Sequence, residues 1–319
     1  MSEPKRTISE VPADAHGMKF VDTCEIDQQR HRLYAGDNWA GGVDIFDVSG
    51  PQAKYLKTVR GARGTYYGVC MAPELNKVFV GMSAGHVIVL DADPASSTFD
   101  TITATVDVGG HGSADLIDYD AVHQKVYVAN RNDGFITSID ARSNAVAKKI
   151  DGLGGALEQP RFNPADGMVY LSGNAENVLY QIDAATDRVV KKFDIGEPCH
   201  PNGLAINPKT NKAVLANSGR NNKCVVWDLA GGKLEGVADT GGGDGAVYDP
   251  VADRFFFAAS GFKDGPAVGV FDGQGKFLGN APTGRMASWV AYDQTNAQLY
   301  FPTIAEGRPA LLSLALPDL

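Results

Sequence analysis

The chain is short of cysteine, of basic runs, of long apolar runs and of helical pattern. Its 319 residues contain only four cysteines, Cys24, Cys70, Cys199 and Cys224, and none are spaced C-x-x-C. That argues against a cysteine metal site or a disulfide framework; Cys24, Cys70 and Cys224 fall inside apolar runs and read as small buried hydrophobes. No apolar run approaches the roughly 20 residues that span a bilayer, so no membrane span is expected. The formal net charge of -9 comes without any basic cluster. Nucleic acid and anionic membrane surfaces are therefore poor candidate partners. The opening residues lack an apolar leader segment, so a cytoplasmic location is expected, or a periplasmic or secreted one if a signal peptide has been removed. No G-x-S-x-G or H-E-x-x-H motif occurs, and the glycine-rich "TGGGDG" lacks the Lys-Ser/Thr of a phosphate cradle.

What the chain does have is a repeat. The segments "NKVFVGMSAGHVIVLDAD", "QKVYVANRNDGFITSIDARSNAVAKKI", "GMVYLSGNAENVLYQIDAATDRVVKKF" and "NKAVLANSGRNNKCVVWDLAGGKL" share one plan. A β-branched or aromatic strand leads to a polar turn, a second strand usually ends in Asp, and a more polar strand follows. An opening strand precedes each copy and ends at Asp27, Ala72, Asp120, Asn163, Asn207, Asp249 or Asp293, at spacings of 45, 48, 43, 44, 42 and 44 residues. Four short strands in each of seven units of about 40–45 residues define a β-propeller. The expected architecture is all-β: one domain over residues 1–319, seven blades of four antiparallel strands. The last repeat is one strand short, and "KRTISEV" at residues 5–11 alternates without a blade of its own. It is expected to complete the last blade as its outermost strand. The fold is expected to be monomeric.

The segments "NKVFVG", "QKVYVAN" and "NKAVLAN", each leading to a strand that ends in Asp, resemble the YVTN-type β-propellers over essentially the whole chain. The resemblance implies the fold. It does not imply an activity, because that group includes binding proteins, assembly factors and enzymes.

Five residues before each aligned turn position stands a polar column: Asp22, Tyr67, Asp115, Glu158, Asn202, Asp244 and Ser288. Two residues further on the column is mostly apolar, from Cys24 to Val290. Period-two alternation places these columns, and the next, on one strand face. The seven inner strands then bring their polar ends to one mouth of the central channel. Four carboxylates and an asparagine oxygen are the donor set of a hard divalent cation, Ca²⁺, Mg²⁺ or Mn²⁺. The plain alternative is a water-filled channel with polar strand ends.

The motifs Glu158-Gln159-Pro160, Asn202-Gly203-Leu204 and Asp244-Gly245-Ala246 are similar, in chain order, to those of the gluconolactonase-type propellers. That family has six blades where this chain has seven repeats. The resemblance implies Glu158, Asn202 and Asp244 as metal ligands, with Asp244 also a base. Asp22 and Asp115 extend the candidate ligand set by their place in the column. His200, in "CHPNGLAINP", and His111, in "VDVGGHGSAD", stand in approach loops above it, as does His16. His200 is placed to orient or protonate a bound molecule. Loops at the same end carry Trp39, Arg131, Asn132, Asn174, Arg220, Asn221, Phe262, Lys263, Glu306 and Arg308, and Arg285 lies in the last approach loop. Aromatic and basic groups around an acidic centre suit a small oxygen-rich or anionic molecule. Two functions follow. One is a metal-assisted hydrolase, lactonase-like, or a lyase, with Asp244, His200, His111 and Arg285 as its catalytic candidates. The other is a non-catalytic propeller that binds a protein, peptide or small ligand on one face.

Overall fold

A computed structural model describes residues 6–11, 21–38, 41–61, 63–196, 199–217, 223–241 and 243–315. His16, Trp39, Arg220 and Asn221 lie outside the described residues. Seven four-stranded antiparallel sheets are arranged in a ring. Each inner strand neighbours the next, and the seventh neighbours the first. The inner strands are Val21–Asp27, Tyr66–Ala72, Ala114–Asp120, Leu157–Asn163, Pro201–Asn207, Ala246–Asp249 and Ala291–Asp293.

Local chemistry fixes where each inner strand stops. The carboxylate of Asp27 accepts hydrogen bonds from the backbone N–H groups of Gln29 and Arg30, both at 3.0 Å. Asp120, Asp249 and Asp293 repeat the pattern, and Asn163 and Asn207 approximate it. Such a side chain offers the backbone a turn in place of a continued ladder. In blade two Ala72 has no such side chain and leads into the short turn Pro73–Leu75. Four residues beyond each of the seven positions, Ala72 included, the chain adopts positive φ, at His31, Asn76, Gln124, Gly167, Asn211, Asp253 and Ala297. Much of the acidic charge thus has a turn-forming role.

The core is divided among the blade interfaces. One apolar cluster fills each of the seven blade-to-blade contacts. Fully buried aromatics such as Tyr34, Phe79, Tyr127, Phe257 and Phe301 anchor them, each stabilising by about 1.5–3 kcal/mol through removal from water. The outermost strands are exposed and lysine-bearing, as in Ala145–Ile150 and Arg188–Asp194. Charged edges discourage pairing with another sheet. All four cysteines are buried, and none forms a disulfide.

Ring closure follows the expected plan. Arg6–Glu10 pairs antiparallel with Arg308–Ala315, from Arg6 opposite Leu314 to Glu10 opposite Ala310, as the outer strand of the last blade. Val11 then enters the cluster between the seventh and first blades, beside Val21, Leu311 and Trp289.

One element of the sequence reading is corrected. The polar and apolar columns do not share a face by simple alternation. In blades one to five a β-bulge intervenes, between Val21 and Cys24, Tyr66 and Val69, Ala114 and Ile117, Leu157 and Pro160, and Pro201 and Leu204. The extra residue breaks the period of two and re-aims the side chain before it. Cys24, Ile117 and Leu204 enter the core while Asp22, Asp115 and Asn202 turn to the mouth.

Removal of residues 1–11 is expected to lower stability by about 2–5 kcal/mol, at least the scale of a large core truncation. Urea denaturation of the truncated protein checks this; an unchanged midpoint would show that closure does not depend on the strand.

Candidate functional site at the channel mouth

The bulges bring the inner strands into contact. A Cβ added at Gly203 would stand 2.0 Å from the Asp244 carbonyl oxygen, and one at Gly68 would stand 2.5 Å from that of Asp115. The Gly245 N–H donates to the Ser288 carbonyl at 2.8 Å. Trp289 Nε1 donates to the Cys24 carbonyl at 3.0 Å, joining the last blade to the first. The glycines of Asn202-Gly203 and Asp244-Gly245 therefore serve close strand approach, not turns.

That crowding assembles the polar column. Asn202 Nδ2 donates to Asp244 Oδ1 at 3.1 Å, and its own Oδ1 accepts from Asn174 Nδ2 at 2.6 Å. Arg131 Nη1 donates to Asp115 Oδ2 at 3.2 Å, while Nη2 lies 2.7 Å from Glu158 Oε1. The carboxyl of Asp22 lies beside that of Asp115, and burial and then the Asp115 charge push it up. Asp244 is close enough for its charge to act on Asp22, Asp115 and Glu158. Asp22, Asp115, Glu158, Asn202 and Asp244 thus occupy one pit. Asp115, Glu158 and Asn202 are buried, while Asp22 and Asp244 are half-buried.

The catalytic candidates are less concentrated. His200 is half-buried at the rim, its Nδ1 3.1 Å from the Asn174 carbonyl, and Asn174 Nδ2 donates back to the His200 carbonyl. His111 is exposed in its approach loop, which is held by its backbone N–H donating to Asp133. Arg285 is exposed, and its carbonyl accepts hydrogen bonds from Thr303 and from the Ile304 N–H. The cation among the acids is Arg131, from the loop after Lys125–Asn130. The sequence placed it at this end of the channel, but its ion pairs depend on the fold. Among the described residues, no three His, Cys, Asp or Glu side chains group as a metal site. Arg131 stands between Asp115 and Glu158, where a shared ion would sit.

Burial dominates the electrostatics. It pushes the Glu158 carboxyl up to about 9; Arg131 holds it down, and Asp115, Asp244 and Asp22 push it further up. Burial likewise raises Asp22 well above the usual carboxylate range, with repulsion from Asp115 and Asp244 adding to it. Asp115 and Asp244 are also raised by burial, with Arg131 opposing. Among the described residues one guanidinium faces four carboxyls in a confined space, and it does not neutralise them all, so the cluster retains protons.

No family model matches the chain, and no curated protein matches it. Among solved structures, it is similar to a chain of the "Crystal Structure of Mitotic Checkpoint Complex", with a TM-score of 0.75 and 14% identity over 99% of this chain and 92% of that one. The similarity concerns the propeller fold.

Two outcomes are expected. Gly203→Ala pushes the strand that carries Asn202 away from the Asp244 backbone, lowering stability by about 2 kcal/mol or more in urea denaturation. Glu158 is protonated in the folded state and ionised in the unfolded state between its ordinary value and about 9. Its stabilisation is complete below about pH 4.5 and is lost as pH rises through about 9. The denaturation midpoint should therefore fall across that range. Glu158→Gln should shallow the slope and raise stability at the alkaline end; an equally steep slope in the variant would exclude this assignment.

Proposed function

We propose that this protein is a non-catalytic binding propeller whose channel mouth receives a cationic group from a protein or peptide partner, a lysine or arginine side chain. The observation that carries this reading is the ratio of charges in the pit. Among the described residues, Asp22, Asp115, Glu158 and Asp244 surround a single guanidinium, that of Arg131. A second cation supplies the missing charge and releases the protons that burial retains. It also suits the site better than an anionic molecule, because Arg131 is already engaged by Asp115 and Glu158. The similar solved chain belongs to a complex, which makes a protein partner the first class to test.

A second reading keeps the divalent cation, with Asp22, Asp115, Glu158, Asn202 and Asp244 as its ligands and a hydrolase or lyase activity. The convergence of those five side chains favours it. It requires Arg131 to leave the pit, and it requires Asn202 Oδ1 to exchange or share its bond with Asn174.

Calorimetric titration with short arginine peptides and their citrulline counterparts separates these possibilities. The arginine peptide should bind with proton release and with affinity that rises from about pH 6 to pH 9, and the citrulline peptide should not bind. Asp244→Asn should weaken binding at least tenfold, about 1.4 kcal/mol. Equal binding of both peptides would overturn the cation reading. A saturable Tm rise with Ca²⁺, Mg²⁺ or Mn²⁺, lost in Asp244→Asn together with hydrolytic or lyase turnover, would favour the metal.

A further inference from the structure

The channel has a second chemically distinct region towards its other face. Two residues before each inner-strand turn stands another column, in which blades one, three and four carry Glu25, Asp118 and Arg161, while blades five, six and seven carry Ala205, Val247 and Ala291. Small side chains on one side of the ring face long charged ones on the other. The space left is a cavity of about 300 Å³, lined by these six residues and walled by aromatic and aliphatic groups that include Phe162, Tyr248 and Tyr292. Its rim is braced: Gln28 Nε2 donates to the Tyr292 carbonyl at 2.7 Å, and Gln28 Oε1 accepts from the Gln294 N–H at 3.0 Å.

The charged groups in this cavity are unequally satisfied. Asp118 accepts from Arg161 Nη1 at 2.9 Å and from the Phe162 N–H at 2.7 Å. Arg161 Nε donates to the Leu204 carbonyl at 3.0 Å. Asp249, at the rim, accepts from two backbone N–H groups and from Gln294. Glu25 lines the cavity, is half-buried, and has no hydrogen-bond partner among the described residues. A half-buried carboxyl without a protein partner is open to a ligand that brings N–H donors or positive charge. With three acids and one already paired arginine, the cavity favours a cation over an anion. Its aromatic walls suit a cation with an apolar body.

We infer that the channel cavity is a second ligand site, for a small organic ammonium with an apolar body, anchored by Glu25 and seated against Ala205, Val247 and Ala291. The site is separate from the acidic mouth and does not rest on the function proposed for it. Burial pushes the Glu25 carboxyl up to about 8, with Arg161 opposing and Asp118 and Asp27 adding to the rise. The buried thiols of Cys24 and Cys70 lie beside it, and Asp249, Tyr248 and Tyr292 also line the cavity. At neutral pH the empty site therefore retains a proton that an incoming ammonium displaces.

Benzylamine, benzyl alcohol and benzoate are matched probes for the intact protein. Benzylamine should raise Tm saturably and bind with proton release in calorimetry, while the alcohol and the benzoate should do neither. Glu25→Gln should abolish the effect with the fold intact by circular dichroism. Val247→Phe, which fills the cavity without touching the carboxyl, should do the same, so the result does not depend on one variant folding. Asp244→Asn should leave benzylamine binding unchanged, which distinguishes this cavity from the mouth. The inference fails if benzylamine does not bind saturably, if benzoate binds in its place through Arg161, or if binding survives Glu25→Gln. It also fails if Asp244→Asn removes binding, which would assign the probe to the mouth.

Discussion

Seven strands that meet around one axis must approach closely, and the rest of the structure depends on how they do so. At the mouth the solution is a bulge in each of the first five inner strands, together with residues that either shrink to glycine or bond across to the neighbouring blade. Gly68, Gly203 and Gly245 permit contact with the next strand. The Thr23 hydroxyl accepts from the Val69 N–H at 2.8 Å, and Trp289 reaches the Cys24 carbonyl. These contacts satisfy backbone groups that the bulges remove from the ladders. They also leave one residue of each bulge with nowhere to point but the mouth.

The acidic pit is thus a consequence of strand convergence acting on a column of polar residues. Its chemistry then follows from burial. Carboxyls placed this close in a partly dry space either share protons or recruit cations. Among the described residues Arg131 is the cation paired with these acids, and its ion pairs are with Asp115 and Glu158. Protons provide the remainder, which makes the mouth responsive to pH and to any positively charged group that enters.

The two ends of the channel differ for a simple reason. At the mouth, polar side chains from most blades converge on an acidic pit. Towards the other face, charged residues from blades one, three and four meet Ala205, Val247 and Ala291 from the opposite side, and the centre stays open. The seven-fold repeat of the backbone therefore holds an asymmetric lining. The asymmetry, and not the propeller itself, gives each end its own chemistry.

A large part of this was legible in the sequence. Repeat spacing, and the Asp or Asn that ends every inner strand but the second, specify seven blades, because a side chain that caps its own turn acts over two or three residues. The unpaired strand at the N-terminus implied the closure that Arg6–Glu10 makes. The polar column was also legible, although for the wrong geometric reason: alternation alone would have placed Asp22 beside Cys24 on one face. The bulges that separate them depend on contacts with the neighbouring blade more than 40 residues away, and no local pattern encodes those. Likewise, Arg131 was visible as a loop residue at the mouth, yet its ion pair with Glu158 joins different blades. The open cavity at Glu25 could be seen only once Ala205, Val247 and Ala291 were known to face it. Local hydrogen bonding and hydrophobic period determined the elements and their number. Which charges meet, which carboxyls stay buried and where space remains were decided by the closed ring, because those depend on distances between blades that only tertiary packing sets.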